Sequence, residues 1–454
     1  MKLYFHGGAG TVTGSNYLLE TSQSKILIDC GLFQGKKKIE EKNYEPFPYN
    51  PKEIDFVLIT HAHLDHIGRL PKLIKDGFQG KIFATEPTIG FAQLMLEDSQ
   101  KILHRKAVRK GIVEKMGDQQ IKMIMEMFQK VEYQEQIELS KDISVCFREA
   151  GHVLGSASIE VNTQGKKIVF SGDLGYDHTP ILRDPAHIES ADYVIIESTY
   201  GDRIHEVKET CQHLLENIVE ETVTRGGVLM IPSFALERTQ RLLYHFNELV
   251  ENNRIPQIPI FIDSPLAIKL TDVYKKYSQY YDKEAKFLIK SGDDIFNFPE
   301  LKLTLTVEES KAINQVAPPK IIIAGSGMSQ GGRIIHHERR YLSDPKNTLL
   351  FVTYQVQGTL GYRILQGAEQ VKILGENIPI QAEIKRIDGY SSHADQKGLI
   401  DWLSDIKKLS SPNQIKKVFI CHGEEKSSLA LSQRIKSDLD LSTEIPKINQ
   451  MVEI

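Results

Sequence analysis

His61-Ala62-His63-Leu64-Asp65-His66 places four metal-competent side chains within six residues. It follows directly on the apolar run Ile54–Thr60, which reads as a strand, so the four leave a strand end together and can converge on one point. Imidazole nitrogen and carboxylate oxygen without sulfur suit Zn²⁺, with Mn²⁺ and Fe²⁺ as competitors. A hydrolytic metal site needs further ligands from elsewhere in the chain. Three places offer them at strand or loop ends: His152 in Gly151-His152-Val153-Leu154-Gly155-Ser156, Asp173 in Phe170-Ser171-Gly172-Asp173-Leu174-Gly175, and His422 in Phe419-Ile420-Cys421-His422-Gly423-Glu424. Each of these alone has a plain reading as a turn residue beside glycine, and the hexapeptide alone could be a histidine-rich polar turn. In company they point to metal chemistry.

The elements that must position these groups belong to an ordinary globular chain of 454 residues, 41% apolar and 26% charged, a length that suggests two to three domains. With 56 basic and 60 acidic residues the net charge is −4, so no global positive field draws in a polyanion. A nucleic-acid partner would need a local basic groove or metal ions. The cysteines Cys30, Cys146, Cys211 and Cys421 form no C-x-x-C pair, which favours reduced thiols in a cytoplasmic protein over a disulfide scaffold or a thiolate zinc ribbon. Neither a signal peptide nor a membrane helix is legible. Short strands dominate the first 200 residues: Lys2–His6, Asn16–Glu20, Lys25–Asp29, Ile54–Thr60, Lys81–Thr85, Ile143–Glu149, Ser158–Asn162, Lys167–Ser171 and Tyr193–Ser198. Between them, Phe91 to about Lys130 reads as two helices. From Gly201 to Ile384 strands and helices alternate: helix Glu206–Arg225, strand Gly227–Pro232, helix Leu236–Glu251, strand Ile258–Asp263, helix Pro265–Tyr281, strand Lys320–Ala324, helix Gly332–Leu342 and strand Thr348–Tyr354. That rhythm predicts βαβ units on a parallel sheet. Lys290–Glu300 reads as a surface loop. A helix starting near His393 and a strand Lys416–Cys421 follow. A metal site is one place in space, so a chain with its ligands at 61–173 and again at 422 must leave its first domain and return. The stretch between them reads as an insertion, with a cleft between the two domains as the expected substrate channel.

The successive motifs His61–His66, the Asp29 turn, Gly151–Ser156 and Ser171–Gly175 resemble those of the metallo-β-lactamase superfamily. Glu197 in Glu197-Ser198-Thr199-Tyr200-Gly201, His393 in Ser391-Ser392-His393-Ala394-Asp395, and His422 resemble motifs A, B and C of its β-CASP branch of nucleic-acid-processing nucleases. Pro232-Ser233-Phe234-Ala235, Asp263-Ser264-Pro265-Leu266-Ala267 and Gly325-Ser326-Gly327-Met328 are similar to recurring segments of the β-CASP insert. The resemblance spans nearly the whole chain and implies an α/β fold: a metallo-β-lactamase αββα sandwich (1–201 and 387–454) with an inserted Rossmann-like parallel-sheet β-CASP domain (202–386). It implies two Zn²⁺ ions, with Mn²⁺ as an alternative. His61, His63 and His152 would hold one, Asp65, His66 and His422 the other, and Asp173 would bridge them. Asp29 would orient ligands from behind. Asp65 counts as catalytic as well as metal-binding.

Two metals can clamp the attacking and leaving oxygens at phosphorus and supply hydroxide at neutral pH, but not a proton for the departing sugar oxygen. His393 is the candidate general acid. Ser392-His393-Ala394-Asp395 has capping-box-like spacing, and Leu399, Trp402, Leu403 and Ile406 continue an apolar stripe, so His393 is expected in the first turn of a helix. There the helix dipole and the metals disfavour imidazolium, and Glu197 is the carboxylate that would keep it protonated. Its plain reading is a polar residue near a helix start. The loop Gly325–Arg333 fits neither the dinucleotide nor the Walker pattern. It could seat a phosphate with Ser326, Ser329 and Arg333, joined by Ser392, or be a tight glycine turn. The basic runs Lys36–Lys38 and Arg105–Lys110 are solvated faces or flank a nucleic-acid path.

The expectation is therefore a zinc-dependent ribonuclease acting on RNA, single-stranded by preference, by a two-metal-activated hydroxide with His393 as general acid. The choice of RNA rests on the resemblance, in which RNA-processing members carry histidine in motif C and DNA-repair members an apolar residue. Alternatives on the same core are a DNA nuclease, a small-molecule hydrolase of lactonase or thioesterase type, and a non-catalytic scaffold. The early first motif leaves no room for an N-terminal KH-like module. A homodimer stays open.

Overall fold

A computed structural model of the chain describes residues 1–35, 37–109, 118–205 and 208–454. Two compact units divide it: Met1–Ile204 with His393–Ile454, and His205–Ser392. The side chains of both basic runs, Lys38 apart, lie outside the described residues, as do the first residues of the helix expected from Glu206.

The discontinuous unit is built on two seven-stranded sheets. In spatial order the first comprises Gln450–Glu453, Lys2–Gly7, Asn16–Glu20, Lys25–Ile28, Phe56–Leu58, Lys81–Thr85 and Phe128–Val131. The second comprises Thr443–Glu444, Lys417–Cys421, Tyr193–Glu197, Lys166–Phe170, Ala157–Thr163, Ile143–Glu149 and Gln136–Ser140. Each sheet is antiparallel at one end and parallel at the other. The parallel strands end in the loops that carry the histidines.

Period-two alternation decides which face each residue serves. Phe419 and Ile195 join Phe5, Ile26, Val145 and Ile159 in the core between the sheets. Their neighbours Val418, Ile420, Val194 and Ile196 face the other way, against Leu399, Trp402, Leu403 and Ile406 of helix Gln396–Leu409 and Leu431 and Ile435 of helix Glu425–Leu439. The first sheet is covered in turn by helix Glu86–Arg109, which packs on Lys81–Thr85 and Phe128–Val131. Helix, sheet, sheet and helix follow one another as layers. One expected helical stretch ends early: after helix Asp118–Met127, Phe128–Val131 is a strand, because its backbone completes the ladder of Lys81–Thr85. Pairing outweighs local propensity there.

The second unit holds a six-stranded, all-parallel sheet in the order Leu301–Leu303, Ile260–Asp263, Lys320–Ala324, Val228–Pro232, Thr348–Phe351 and Glu383–Arg386. Val228–Pro232 and Lys320–Ala324 are buried at every residue, as strands covered on both faces must be. Residues 387–392, expected with the first domain, belong to this unit. The buried Arg241 donates to the carbonyls of Gly389 (3.0 Å) and Ser391 (3.1 Å), and the His245 ring bonds the Tyr390 hydroxyl at 2.7 Å.

Asp263 ties several of these elements together. Its buried carboxylate accepts from the Thr304 and Ser310 hydroxyls (2.7 Å each), from Arg333 (2.7 Å) and from His337 Nε2 (2.8 Å). Burial alone would raise its pKa; His337, Thr304, Ser310 and Arg333 outweigh that and bring it to about 2. An aspartate whose folded value lies below its unfolded one contributes stability above the unfolded value and loses it as pH falls through the folded one. Between pH 4 and 2 the wild type should therefore lose about 2 kcal/mol through this group. Asp263→Asn should be less stable at pH 7 by a similar amount, with the gap closing by pH 2. Urea unfolding followed across that range would refute the assignment if the gap were independent of pH.

Candidate metal centre

The six residues His61–His66 leave the strand Phe56–Leu58 and turn into the one-turn helix Leu64–Ile67. The loop after Lys25–Ile28 packs directly beneath it: Cys30 N donates to His66 O (2.7 Å) and Leu32 N to Leu64 O (2.8 Å). Gly31 is required there, because a Cβ would lie 1.5 Å from the Asp65 carbonyl oxygen. Asp29 accepts from His66 Nδ1 at 2.7 Å and from the Thr60 amide and hydroxyl at 2.8 Å each. That fixes the His66 proton on Nδ1 and frees Nε2. His152 lies in the turn after Ile143–Glu149, where its amide donates to Ser156 Oγ.

These residues gather as two groups of donor atoms. Nε2 of His61 is 3.0 Å from His63 Nδ1, which is 3.2 Å from His152 Nε2. His422 Nε2 is 3.3 Å from His66 Nε2 and 3.5 Å from Asp65 Oδ2. Asp173 Oδ2 lies between the groups, 3.5 Å from His61 Nε2, 3.6 Å from His152 Nε2 and 3.3 Å from His66 Nε2. Ligand atoms held tetrahedrally at 2.0–2.1 Å from a cation are about 3.3–3.4 Å apart, so the spacing fits one divalent ion in each group. Asp173 Oδ1 is buried and makes no hydrogen bond, with His422 Nδ1 3.4 Å away, which leaves it able to meet a cation.

Electrostatics divide the donor set. Burial, reinforced by His66, holds His61 well below the usual imidazole range, and burial brings His63 to about 4, so both are neutral and can offer a lone pair. His66 goes the other way: burial opposes its charged form, but Asp173 and Asp29 raise it well above the usual range. Burial likewise acts against the charged form of Asp173, yet His422, His66 and His61 hold it well below the carboxylate range.

Glu197, at the end of Tyr193–Glu197, accepts from Leu174 N (2.7 Å), Thr199 N (3.2 Å) and His393 Nδ1 (3.0 Å). The His393 ring stands 4.5 Å from that of His152. Burial would lower its pKa, but Glu197, with Asp173 and Asp65 beyond, raises it to about 9. His393 is not in a helix, contrary to expectation. Asp395 is the N-cap, accepting from Gly398 N at 2.9 Å, and Ala394 N bonds Leu174 O, which keeps the chain extended until the helix starts at Gln396. The helix dipole therefore does not act on this ring from a first-turn position.

Of the residues expected to contact phosphate, Arg333 and Ser329 have side-chain partners within the protein. Arg333 donates to Asp263, Thr304 O and Leu305 O, Ser329 is buried against Glu338, and Ser326 Oγ accepts from Gln330 N. Ser392 is buried. Thr60 and Thr199, which bond ligand histidines, carried no signal in the sequence beyond their places beside the motifs.

This architecture and this donor set define a metal-dependent hydrolase scaffold. A Metallo-beta-lactamase superfamily domain model matches residues 18–197, a Beta-Casp domain model 239–364, and a Zn-dependent metallo-hydrolase RNA specificity domain model 377–446. Ribonuclease TTHA0252 of Thermus thermophilus is 39% identical over 95% of this chain and 95% of its own length. RNase J-like protein of Methanocaldococcus jannaschii is 33% identical, covering 98% and 97%, and Transcription termination factor FttA of Methanosarcina mazei is 31% identical, covering 96% and 69%. A crystal structure from Enterococcus faecalis V583, described as a protein of unknown function, shares the fold with a TM-score of 0.56 at 12% identity, covering 100% and 99%. The chain belongs to the β-CASP family of the metallo-β-lactamase superfamily.

Metal binding should appear as stability. Zn²⁺ at 100 times its dissociation constant should stabilise the folded protein by about 2.7 kcal/mol for each site filled. His63→Ala should lose much of the gain, and calorimetry showing the same shift in the variant would contradict the donor assignment.

Proposed function

We propose that this protein hydrolyses RNA phosphodiester bonds at a two-zinc centre. His61, His63 and His152 would hold one ion and Asp65, His66 and His422 the other, with Asp173 shared between the two groups; Mn²⁺ is the alternative metal. The observation that carries the reading is the position of Asp173 Oδ2, 3.3–3.6 Å from imidazole nitrogens of both groups. RNA is supported by the relatives named as ribonucleases and by the match to the RNA specificity domain model. A divalent pair, when bound, supplies charge neutralisation at the phosphodiester and a water acidic enough to attack at neutral pH.

The protein's own groups do the rest. Asp29 and Thr60 orient His66 and His61. Glu197 accepts from Nδ1 of His393, which orients the ring and leaves Nε2 to hold the proton for the departing sugar oxygen. The thiols of Cys30, Cys146, Cys211 and Cys421 are buried and, among the described residues, none is in a disulfide, which favours the cytoplasm as the place of action. Among the described residues no helix is long and apolar enough to cross a membrane.

A 5′-labelled single-stranded RNA incubated in Zn²⁺ or Mn²⁺ buffer should be cleaved. His393→Ala should lose roughly 10²–10⁴-fold in turnover while keeping its metal, the range a positioned proton donor contributes. Intact RNA alongside turnover of a thioester or lactone would replace this reading with a small-molecule hydrolase. Normal cleavage by His393→Ala would remove His393 from the reaction.

A further inference from the structure

Thr199 lies two residues beyond Glu197, and its hydroxyl oxygen is 3.2 Å from His422 Nδ1 and 3.1 Å from the His422 carbonyl oxygen. A hydroxyl has one hydrogen, and a carbonyl oxygen can only accept. With that hydrogen given to the carbonyl, Oγ1 is left to receive one from Nδ1, which also faces Asp173 Oδ1 at 3.4 Å without a hydrogen bond to it. The imidazole proton is then on Nδ1 and the lone pair on Nε2, the atom that meets His66 Nε2 and Asp65 Oδ2.

We propose that Thr199 is a positioning residue that locks the tautomer of His422 and so presents Nε2 to the metal. This rests on His422 being a metal ligand. The backbone supports the same task. His422 is left-handed, with φ 47°, a conformation a non-glycine residue keeps only when its surroundings impose it. Its amide donates to Gly8 O at 2.6 Å, and its carbonyl accepts from Ser198 N at 3.3 Å as well as from Thr199. One threonine thus holds both the ring and the main chain of the ligand. The other group of donors has a counterpart: Thr60 Oγ1 gives its hydrogen to Asp29 Oδ2 at 2.8 Å and lies 3.1 Å from His61 Nδ1, which puts the His61 lone pair on Nε2. Two hydroxyls, each beside a motif histidine, work the same way.

Thr199→Val keeps the shape of the side chain and removes the hydrogen bonds, whereas Thr199→Ser restores the hydroxyl. Zinc affinity of the full chain, measured by competition with a chromophoric chelator, should fall roughly 10–100-fold for one of two equivalents in Thr199→Val and return nearly to wild type in Thr199→Ser. Two-bond ¹⁵N–¹H spectra of the metal-free protein should show His422 with its proton on Nδ1 in the wild type and a mixture of tautomers in Thr199→Val. Unchanged affinity in Thr199→Val, or weakening of both equivalents together with a lowered melting temperature of the metal-free variant, would overturn the proposal in favour of a merely structural threonine. A wild-type protein that binds no zinc would overturn the metal reading itself and this inference with it.

Discussion

Asp173 is a carboxylate with 2% of its surface exposed and, among the described residues, no lysine or arginine paired with it. Burying an anion costs several kcal/mol unless positive charge is brought to it. Here that charge comes from the imidazoles: His422 first, then His66, held between Asp29 and Asp173, and His61. The surrounding geometry follows from satisfying this one group. The Asp29 turn orients His66, and the Gly31 backbone lies against the carbonyl of Asp65. One sheet delivers His61 and the other Asp173 and His422, each from the end of a strand. A divalent ion held among the same atoms would take over that electrostatic duty.

Glu197 solves a related problem by different means. Its carboxylate is also buried, but it is satisfied by two backbone amides and His393. Although Asp173, Glu197 and His393 lie close enough to make a third group of metal-competent atoms, the amides already occupy the glutamate. The pair therefore reads as a proton-holding device beside the metal centre.

Much of this was legible in the sequence because the decisive information is local. Dense ligand types at a strand end marked the centre, and continuous apolar runs marked strands such as Lys320–Ala324. The misses share a physical cause: each was decided by a partner far away in the chain. Phe128–Val131 has the composition of the helix before it, and only Lys81–Thr85 makes it a strand. Ser392 and Asp395 both look like caps, and the bond from Ala394 to Leu174 selects the second. Arg333 beside a glycine-rich loop suggests an anion site until Asp263, on a separate strand, is seen to hold it. The supporting threonines were silent because a hydroxyl near a motif looks like any other until its distances are known.

The pairing of Tyr193–Glu197 with Lys417–Cys421 has a temporal consequence. During synthesis the whole of His205–Ser392 must emerge before the partner strand does, which at roughly 5–20 residues per second takes on the order of ten seconds or more. Throughout that interval the sheet presents an open edge at Tyr193–Glu197, and His422 has not yet been made. A half-built chain therefore lacks one of the residues gathered at its candidate metal centre until its synthesis is nearly over.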